Sequence, residues 1–202
     1  MKTFIGILVT VCMLLPVNAE ATSDPRAVVQ SAVDGVIQVL GSRPDKDRLR
    51  LEDRQAIRAA INKQFDFREM GKRSLGRSWK KINSEQRDRF VDVFRELLER
   101  SYGNSLASYK GQTVEYGDVR IDGKRARVET LIKDESISIP VQYSLKLKSD
   151  HWRVYDIRIE GLSLVSTFRT DFKALYKQDG YDGLIQKLET KIQKLKKQDQ
   201  GA

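Results

Sequence analysis

The chain has 202 residues, of which 40% are hydrophobic, and 37 Lys and Arg against 28 Asp and Glu give it a formal net charge of +9. A single cysteine excludes a disulfide framework, and the sequence shows no internal repeat, low-complexity block or second domain. A basic excess is typical of chains that meet nucleic acid, an anionic lipid surface or an acidic partner.

Residues 1–19 are predicted to be a cleavable export signal. A positive start precedes an apolar run from Phe4 to Leu15. Val17-Asn18-Ala19 then places small residues at the positions that signal peptidase recognises, ahead of a cut after Ala19. Cleavage after Ala21 satisfies the same rule nearly as well. The apolar run is shorter than the ~20 residues of a spanning helix, so no stable membrane insertion is expected.

Residues 20–202 are predicted to form one exported domain. Cleavage removes Cys12, so the mature chain contains no cysteine and must be held together by its core alone. A chain of this length buries roughly 70% of its extended surface, which is ample for one core. Export also makes nucleic acid the least suitable of the three partner classes, and no nucleic acid is expected.

The first half of the mature chain is predicted to be helical. Asp24-Pro25 is a helix start, a second helix is expected near Gln55 to Gln64, and Asp66 caps a third. The fourth and strongest helix begins at Asn83 with a capping box. Its apolar stripe recurs at offsets of three or four and comprises Phe90, Phe94, Leu97, Leu98, Tyr102, Leu106 and Tyr109.

From Gln112 the apolar period changes to two, which predicts β-structure. Turn signals at Asp122-Gly123, Asp134 to Ser136 and Ser149-Asp150 separate four alternating segments. Segments joined by turns this short form an antiparallel meander with one apolar face. After Gly161 the helical period returns and continues, with a break at Gly180, to the C-terminal end. Helices, then strands, then helices indicate an α+β fold.

The sequence offers few groups for catalysis or metal binding. His151 is the single histidine and lies beside a turn, where a solvated residue is the ordinary interpretation. No cluster of His and Cys suits a transition metal, so no metal or cofactor is expected. Asp118, Asp156 and Glu160 could act as acid and base from a pocket, although nothing in their spacing requires it.

Two basic groups stand out. The first surrounds Trp79 and comprises Lys72, Arg73, Arg77, Lys80 and Lys81, and the second lies along the last helix. Either group suits an anionic headgroup surface or an acidic partner. A solvated helix face would carry the same residues, and the sequence leaves this choice open.

Several ordered segments resemble the MlaC, or toluene-tolerance, family of periplasmic phospholipid-binding proteins. They are Phe65 to Met70, Gly76 to Trp79, Asn83 to Arg87, Phe94 to Leu97, Tyr102-Gly103, Trp152 to Ile157, Glu160 to Leu164 and Gly180 to Ile185. The resemblance covers about Phe65 to Leu188. The ordered set is specific although no single segment is.

The resemblance implies a cone-shaped α+β fold, similar to the nuclear-transport-factor-two-like group, with acyl chains in an apolar pocket between sheet and helices. It also implies a non-enzymatic carrier that shuttles phospholipid between an outer-membrane lipoprotein complex and the substrate-binding component of an inner-membrane ABC transporter. Phospholipid is then cargo, not a cofactor. Related members accompany hopanoid biosynthesis, so another lipid is an alternative cargo.

On this view, the pocket is predicted to be lined from both layers. The strands contribute Val128, Val141, Tyr143 and Ile157, and the helices contribute Phe94, Leu98, Tyr102, Leu162 and Val165. The basic group around Trp79 is the predicted partner-docking surface. Two alternatives stay open: an enzyme on the same fold with a pocket carboxylate such as Asp156, and an adaptor with a solid interior.

Overall fold

The computed structural model describes residues 24–201, so the predicted signal peptide at residues 1–19 lies outside the described residues. The elements in chain order are α1 (Pro25–Ser42), α2 (Leu51–Asn62), α3 (Phe67–Leu75), a 3-10 turn (Gly76–Lys81), α4 (Ser84–Ala107), β1 (Thr113–Asp122), β2 (Arg125–Lys133), β3 (Ser138–Lys148), β4 (His151–Ile159), β5 (Leu162–Ser163) and α5 (Leu164–Gly201). This order confirms the predicted α+β class.

The helices begin at the residues that local chemistry predicts. The Asp24 carboxylate accepts a first-turn backbone N–H at 3.0 Å ahead of Pro25, and Asp66 does the same for α3 at 2.8 Å. At the start of α4, the side-chain oxygens of Asn83 and Gln86 each accept the other's backbone N–H, at 2.8 and 3.0 Å. These bonds satisfy amides that a helix start otherwise leaves unpaired.

The start of α2 differs from the prediction. The helix begins at Leu51, ahead of the expected Gln55. The Asp53 carboxylate accepts the backbone N–H of Arg50 at 2.9 Å and so fixes the first turn. The dense charge of this segment hides the helix in the sequence, because only Leu49 and Ile57 nearby bury apolar side chains.

The sheet is an antiparallel meander with the strand order β1-β2-β3-β4-β5. It has five strands rather than the predicted four. The additional strand is β5, in which Leu162 and Ser163 pair with Ile159 and Arg158 of β4. A strand of two residues is too short to show an alternating pattern, so the sequence could not reveal it.

One edge of the sheet is covered and the other is open. Along β4, the covering segment is Gln64 to Asp66: Val154 donates to the Gln64 carbonyl and accepts from Asp66, both at 2.8 Å. At the end of β4, Arg158 and Ile159 pair with β5. The exposed edge is β1, which carries a bulge between Tyr116 and Val119, a feature that discourages pairing with other chains.

The long α5 is two helical halves joined at Gly180. The backbone there has φ 68° and ψ −161°, a conformation open to glycine and strained for other residues. This break confirms the predicted end of a helix at this glycine. The distal half is tied down by Asp199, whose buried carboxylate pairs with Arg54 at 2.9 Å and Arg100 at 3.0 Å.

The interior divides into separate apolar clusters. Between α4 and α5, the rings of Phe90, Phe94, Phe168 and Phe172 pack with centroids 5.3 to 5.9 Å apart. A second cluster joins the inner face of the sheet to α1. A third lies where α1, α2 and the end of α4 meet. The closest described neighbours of α4 are α5 and α3, whereas α1 covers the sheet.

The end of α4 is closed by a buried arginine. Arg43 is 2% exposed, and its guanidinium donates to the backbone carbonyls of Leu106, Ala107 and Tyr109 and, at 2.6 Å, to that of Lys46. The last carbonyls of a helix have no partner within it. A cation at this position satisfies them and complements the negative end of the helix dipole.

Candidate functional site

The inner face of the sheet gathers the predicted strand residues. Val128, Tyr143 and Ile157 stand opposite one another across β2, β3 and β4, and Val141 lies in the next row opposite Ile159. Val128, Val141 and Tyr143 are buried, and Ile157 is half-buried. The structure therefore brings these four predicted residues together on a single apolar surface.

This surface is covered unevenly. Ala126, Leu145 and Val154 form a fully covered row, and Val28 and Val29 of α1 pack in the same cluster. Toward the opposite end the side chains are only half-buried, and we call this region the isoleucine end. It comprises Ile132, Ile139, Ile157 and Ile159. An apolar face left partly uncovered is unusual unless something binds there.

The polar atoms on the inner face are neutral or paired. Burial raises the pKa of Tyr143 to about 12, so the phenol stays protonated at all physiological pH values. The hydroxyl of Thr130 donates to the Val141 carbonyl at 3.3 Å, and that of Tyr116 donates to Asp34 at 2.8 Å. A neutral, hydrogen-bonded lining is compatible with hydrocarbon.

The predicted helical residues lie in a different cluster. Phe94, Leu98 and Val165 are buried in the core between α4 and α5, and Phe94 contacts Phe168 at a centroid distance of 5.3 Å. Tyr102 packs against this core but is half-buried, and burial raises its pKa. The two halves of the predicted pocket are therefore separate clusters in this structure.

Phe65 connects the two clusters. Its half-buried ring packs against both, and it stacks on Phe67 at a centroid distance of 5.8 Å. Neither Phe65 nor the isoleucines Ile132, Ile139 and Ile159 were among the predicted lining residues. The strand alternation places the isoleucines on the inner face, but their partial exposure depends on which part of the face α1 covers.

Leu162 is 73% exposed and belongs to neither cluster. Glu160 and Gly161 before it have φ values of 49° and 82°, and this left-handed turn directs the chain back along β4. Leu162 then pairs with Ile159. The side chain thus lies on the surface beside the isoleucine end and does not line a buried slot.

Asp156 has a structural task. Its carboxylate accepts the hydroxyl of Ser163 at 2.7 Å and the backbone N–H of Val165 at 3.1 Å. Ser163 in turn accepts the backbone N–H of Ser166 at 3.0 Å. Together these bonds cap the first turn of α5. Both carboxylate oxygens of Asp156 accept a hydrogen bond in this cap.

The predicted docking residues are not equivalent. Lys72, Arg77, Lys80 and Lys81 are exposed. Arg73 instead pairs with Glu69 at 2.8 Å, and its guanidinium lies 4.1 Å from the centre of the Tyr155 ring. Arg73 therefore holds α3 against β4.

A polar cleft of about 700 Å³ opens between the start of α4 and the turn after β3. Its charged lining is mixed and comprises Asp66, Arg68, Asp88, Asp92, Arg95, Lys148 and Arg153. Much of this charge is internally paired, as in Arg68 with Asp88 and Lys148 with Asp66 at 3.5 Å. None of the nine predicted lining residues borders this cleft.

Between residues 24 and 201 there is no cluster of three or more His, Cys, Asp or Glu that could hold a metal ion. Over the same range, no helix combines the length and apolar character needed to cross a membrane.

Comparison with known proteins identifies relatives along most of the chain. The sequence model of the MlaC protein family matches residues 30–190. The intermembrane phospholipid transport system binding protein MlaC of Haemophilus influenzae is 24% identical over 192 residues, which are 90% of this chain and 88% of that protein. The toluene tolerance protein ttg2D of Pseudomonas putida is 30% identical over 105 residues, about half of each chain.

A solved structure shares the fold. The phospholipid-binding protein of Ralstonia solanacearum, determined in complex with a phospholipid, superposes with a TM-score of 0.80 at 30% sequence identity, over 86% of this chain and 99% of that one. With the family match over most of its length, the chain belongs to the MlaC family.

Proposed function

We propose that this chain is a periplasmic carrier that binds the acyl chains of phospholipid between sheet and helices. It shuttles the lipid between an outer-membrane lipoprotein complex and the substrate-binding component of an inner-membrane ABC transporter. The observation that carries the proposal is the isoleucine end, an apolar inner face left half-covered in a fold that matches a phospholipid-bound relative. The lipid is cargo and takes part in no reaction.

Binding of lipid gives a reason for the half-covered apolar face of the sheet. Hiding an acyl chain from water is worth ~0.8 kcal/mol per methylene, so a carrier needs a long apolar surface. The proposed lining consists of Val128, Val141 and Tyr143 with the isoleucine end. Phe65 packs against both this cluster and the helix cluster, against which Tyr102 also packs. Phe94, Leu98 and Val165 are core residues of the helix cluster. Leu162 lies on the surface at the edge of the isoleucine end.

Acyl chains enter, on this proposal, where the sheet cluster and the helix cluster adjoin. Phe65 packs against both, and α4 has its closest neighbours among the helices and not in the sheet. Separating the two clusters by a side-chain movement would extend the apolar surface of the isoleucine end inward. A small displacement of this kind leaves the helix–helix core and the strand pairing intact.

The function is tested by extracting lipid from the mature protein purified without detergent. We expect diacyl phospholipid in amounts comparable to the protein, identified by mass spectrometry of an organic extract, because two-chain burial makes spontaneous loss very slow. If the extract contained a hopanoid instead of phospholipid, the proposed cargo would be wrong but the proposed role as a lipid carrier would stand. Protein that carries no lipid of any kind would favour the adaptor with a solid interior.

We propose further that the exposed cations around Trp79 steer docking onto an acidic partner. Changing Arg77, Lys80 and Lys81 to Glu should slow lipid delivery to partner-containing membranes roughly tenfold at low salt, with little effect at high salt. Bound lipid per protein should not change. The measurement compares transfer rates at both salt concentrations.

A matched control for this variant reverses the charge of Lys191, Lys194 and Lys197, three exposed lysines on α5. The control alters net charge equally but should transfer lipid at the wild-type rate. If both variants transferred lipid at the same rate, the group around Trp79 would be an ordinary solvated surface. Most exposed charges contribute little in this way.

A further inference from the structure

The outer face of the sheet, opposite the proposed lipid site, carries a concentration of arginines. Cross-strand pairing places Arg120 directly opposite Arg127, and Arg125 in one row with Lys146 and Arg153. Residues directly opposite each other on one face of an antiparallel pair lie about 5 Å apart at their Cβ atoms. We call these five residues the outer basic face.

Like charges in opposite positions destabilise a sheet, so this arrangement needs a compensating reason. Neighbouring acids offset this repulsion only in part. Among residues 24–201, the side chains of Arg120, Arg125, Arg127 and Arg153 form no hydrogen bond or ion pair. Asp122 stands directly opposite Arg125 in the strand register, although the two side chains form no ion pair. Lys146 forms an ion pair with Glu69 at 3.8 Å.

The face is also open to solvent. Arg120, Arg125 and Arg127 are exposed, Arg153 is half-exposed, and α1 packs on the inner side of the sheet. The neighbouring positions of β3 on this face are polar: Gln142 is half-buried and Ser144 is buried. The outer basic face therefore carries guanidinium groups in adjacent cross-strand rows. No large apolar side chain lies between these groups.

We propose that the outer basic face docks the protein on the phosphates of an anionic bilayer surface. Planar guanidinium groups bind phosphate oxygens through two parallel hydrogen bonds, and four strands spaced about 4.8 Å apart spread them over a broad area. Stable protein interfaces are centred on buried apolar anchors. This face lacks such anchors, which favours a lipid surface over a protein partner.

Docking through charges alone is reversible and leaves the apolar inner face on the other side of the sheet. It also involves no insertion into the hydrocarbon region. The outer basic face is distinct from the cations around Trp79, which lie on the 3-10 turn and α3. The proposal does not depend on the cargo, because it concerns binding to vesicles without partner proteins.

The test is sedimentation of the mature protein with vesicles of equal parts phosphatidylglycerol and phosphatidylcholine. Replacing Arg125, Arg127 and Arg153 with Gln should lower the partition coefficient roughly a hundredfold at low salt. Replacing the same residues with Lys should retain most of the binding. Replacing Lys191, Lys194 and Lys197 with Gln removes equal charge from α5 and should change the binding much less.

Stability provides a second readout that a purely structural role would not produce. Because the Gln variant relieves like-charge contacts, its folding equilibrium constant should rise roughly two- to fivefold, while its bound lipid stays constant. Equal vesicle binding by the Gln variant and the wild type would overturn the proposal. The proposal would also be overturned if the wild-type protein did not bind anionic vesicles but was retained by immobilised polyglutamate. That result would assign the outer basic face to an acidic protein partner.

Discussion

Replacing Ile139 with Glu should abolish lipid binding and leave the protein folded. Ile139 is half-buried at the isoleucine end, so a carboxylate there can reach water in the lipid-free protein. An acyl chain laid over it would trap an unpaired charge, which costs several kcal/mol. We expect at least a tenfold loss of bound phospholipid, measured by extraction, with an unchanged circular dichroism spectrum.

Gln142 supplies the matched control on the same strand. It lies on the opposite face of β3, beside Glu129, to which its amide donates at 3.4 Å. Gln142→Glu adds the same charge without touching the apolar face and should bind lipid normally. If Ile139→Glu retains its lipid, the isoleucine end is not the site. If Ile139→Glu unfolds, Ile159→Glu tests the adjacent row.

Replacing Arg43 with Met should cause the largest loss of stability among single changes at the helix ends. The substitution keeps much of the side-chain volume but removes the donors that hold the carbonyls of Leu106, Ala107 and Tyr109. Leaving such buried acceptors unpaired costs about 3 kcal/mol in the free energy of unfolding. Urea unfolding measures this, and the midpoint temperature should fall by roughly 6 to 12 °C.

Arg77→Met is the corresponding control, because Arg77 is exposed on the 3-10 turn. Its free energy of unfolding should change by less than about 0.5 kcal/mol. A similarly small effect at Arg43 would mean that water replaces the guanidinium at the end of α4. The m-value should stay constant in both variants, since neither changes the surface exposed on unfolding.

The sequence by itself determined the order of the elements and most of their limits. Periods of 3.6 and 2 are properties of the local backbone, so the stripe of α4 and the alternation of β3 could be read directly. Caps such as Asp66 and Asn83 involve residues three positions apart, and the break at Gly180 requires only a backbone that other residues adopt poorly. The family resemblance, confirmed by the match over residues 30–190, also rests on the sequence alone.

Tertiary structure decided how these elements share the apolar surface. Periodicity shows that Phe94 and Ile139 both face inward, but only packing shows that the first is enclosed by other phenylalanine rings and the second is half-covered. The same holds for charge. Arg125 and Arg153 are distant in sequence and become neighbours through Lys146 by strand register, because a sheet joins residues according to pairing and not according to their separation along the chain.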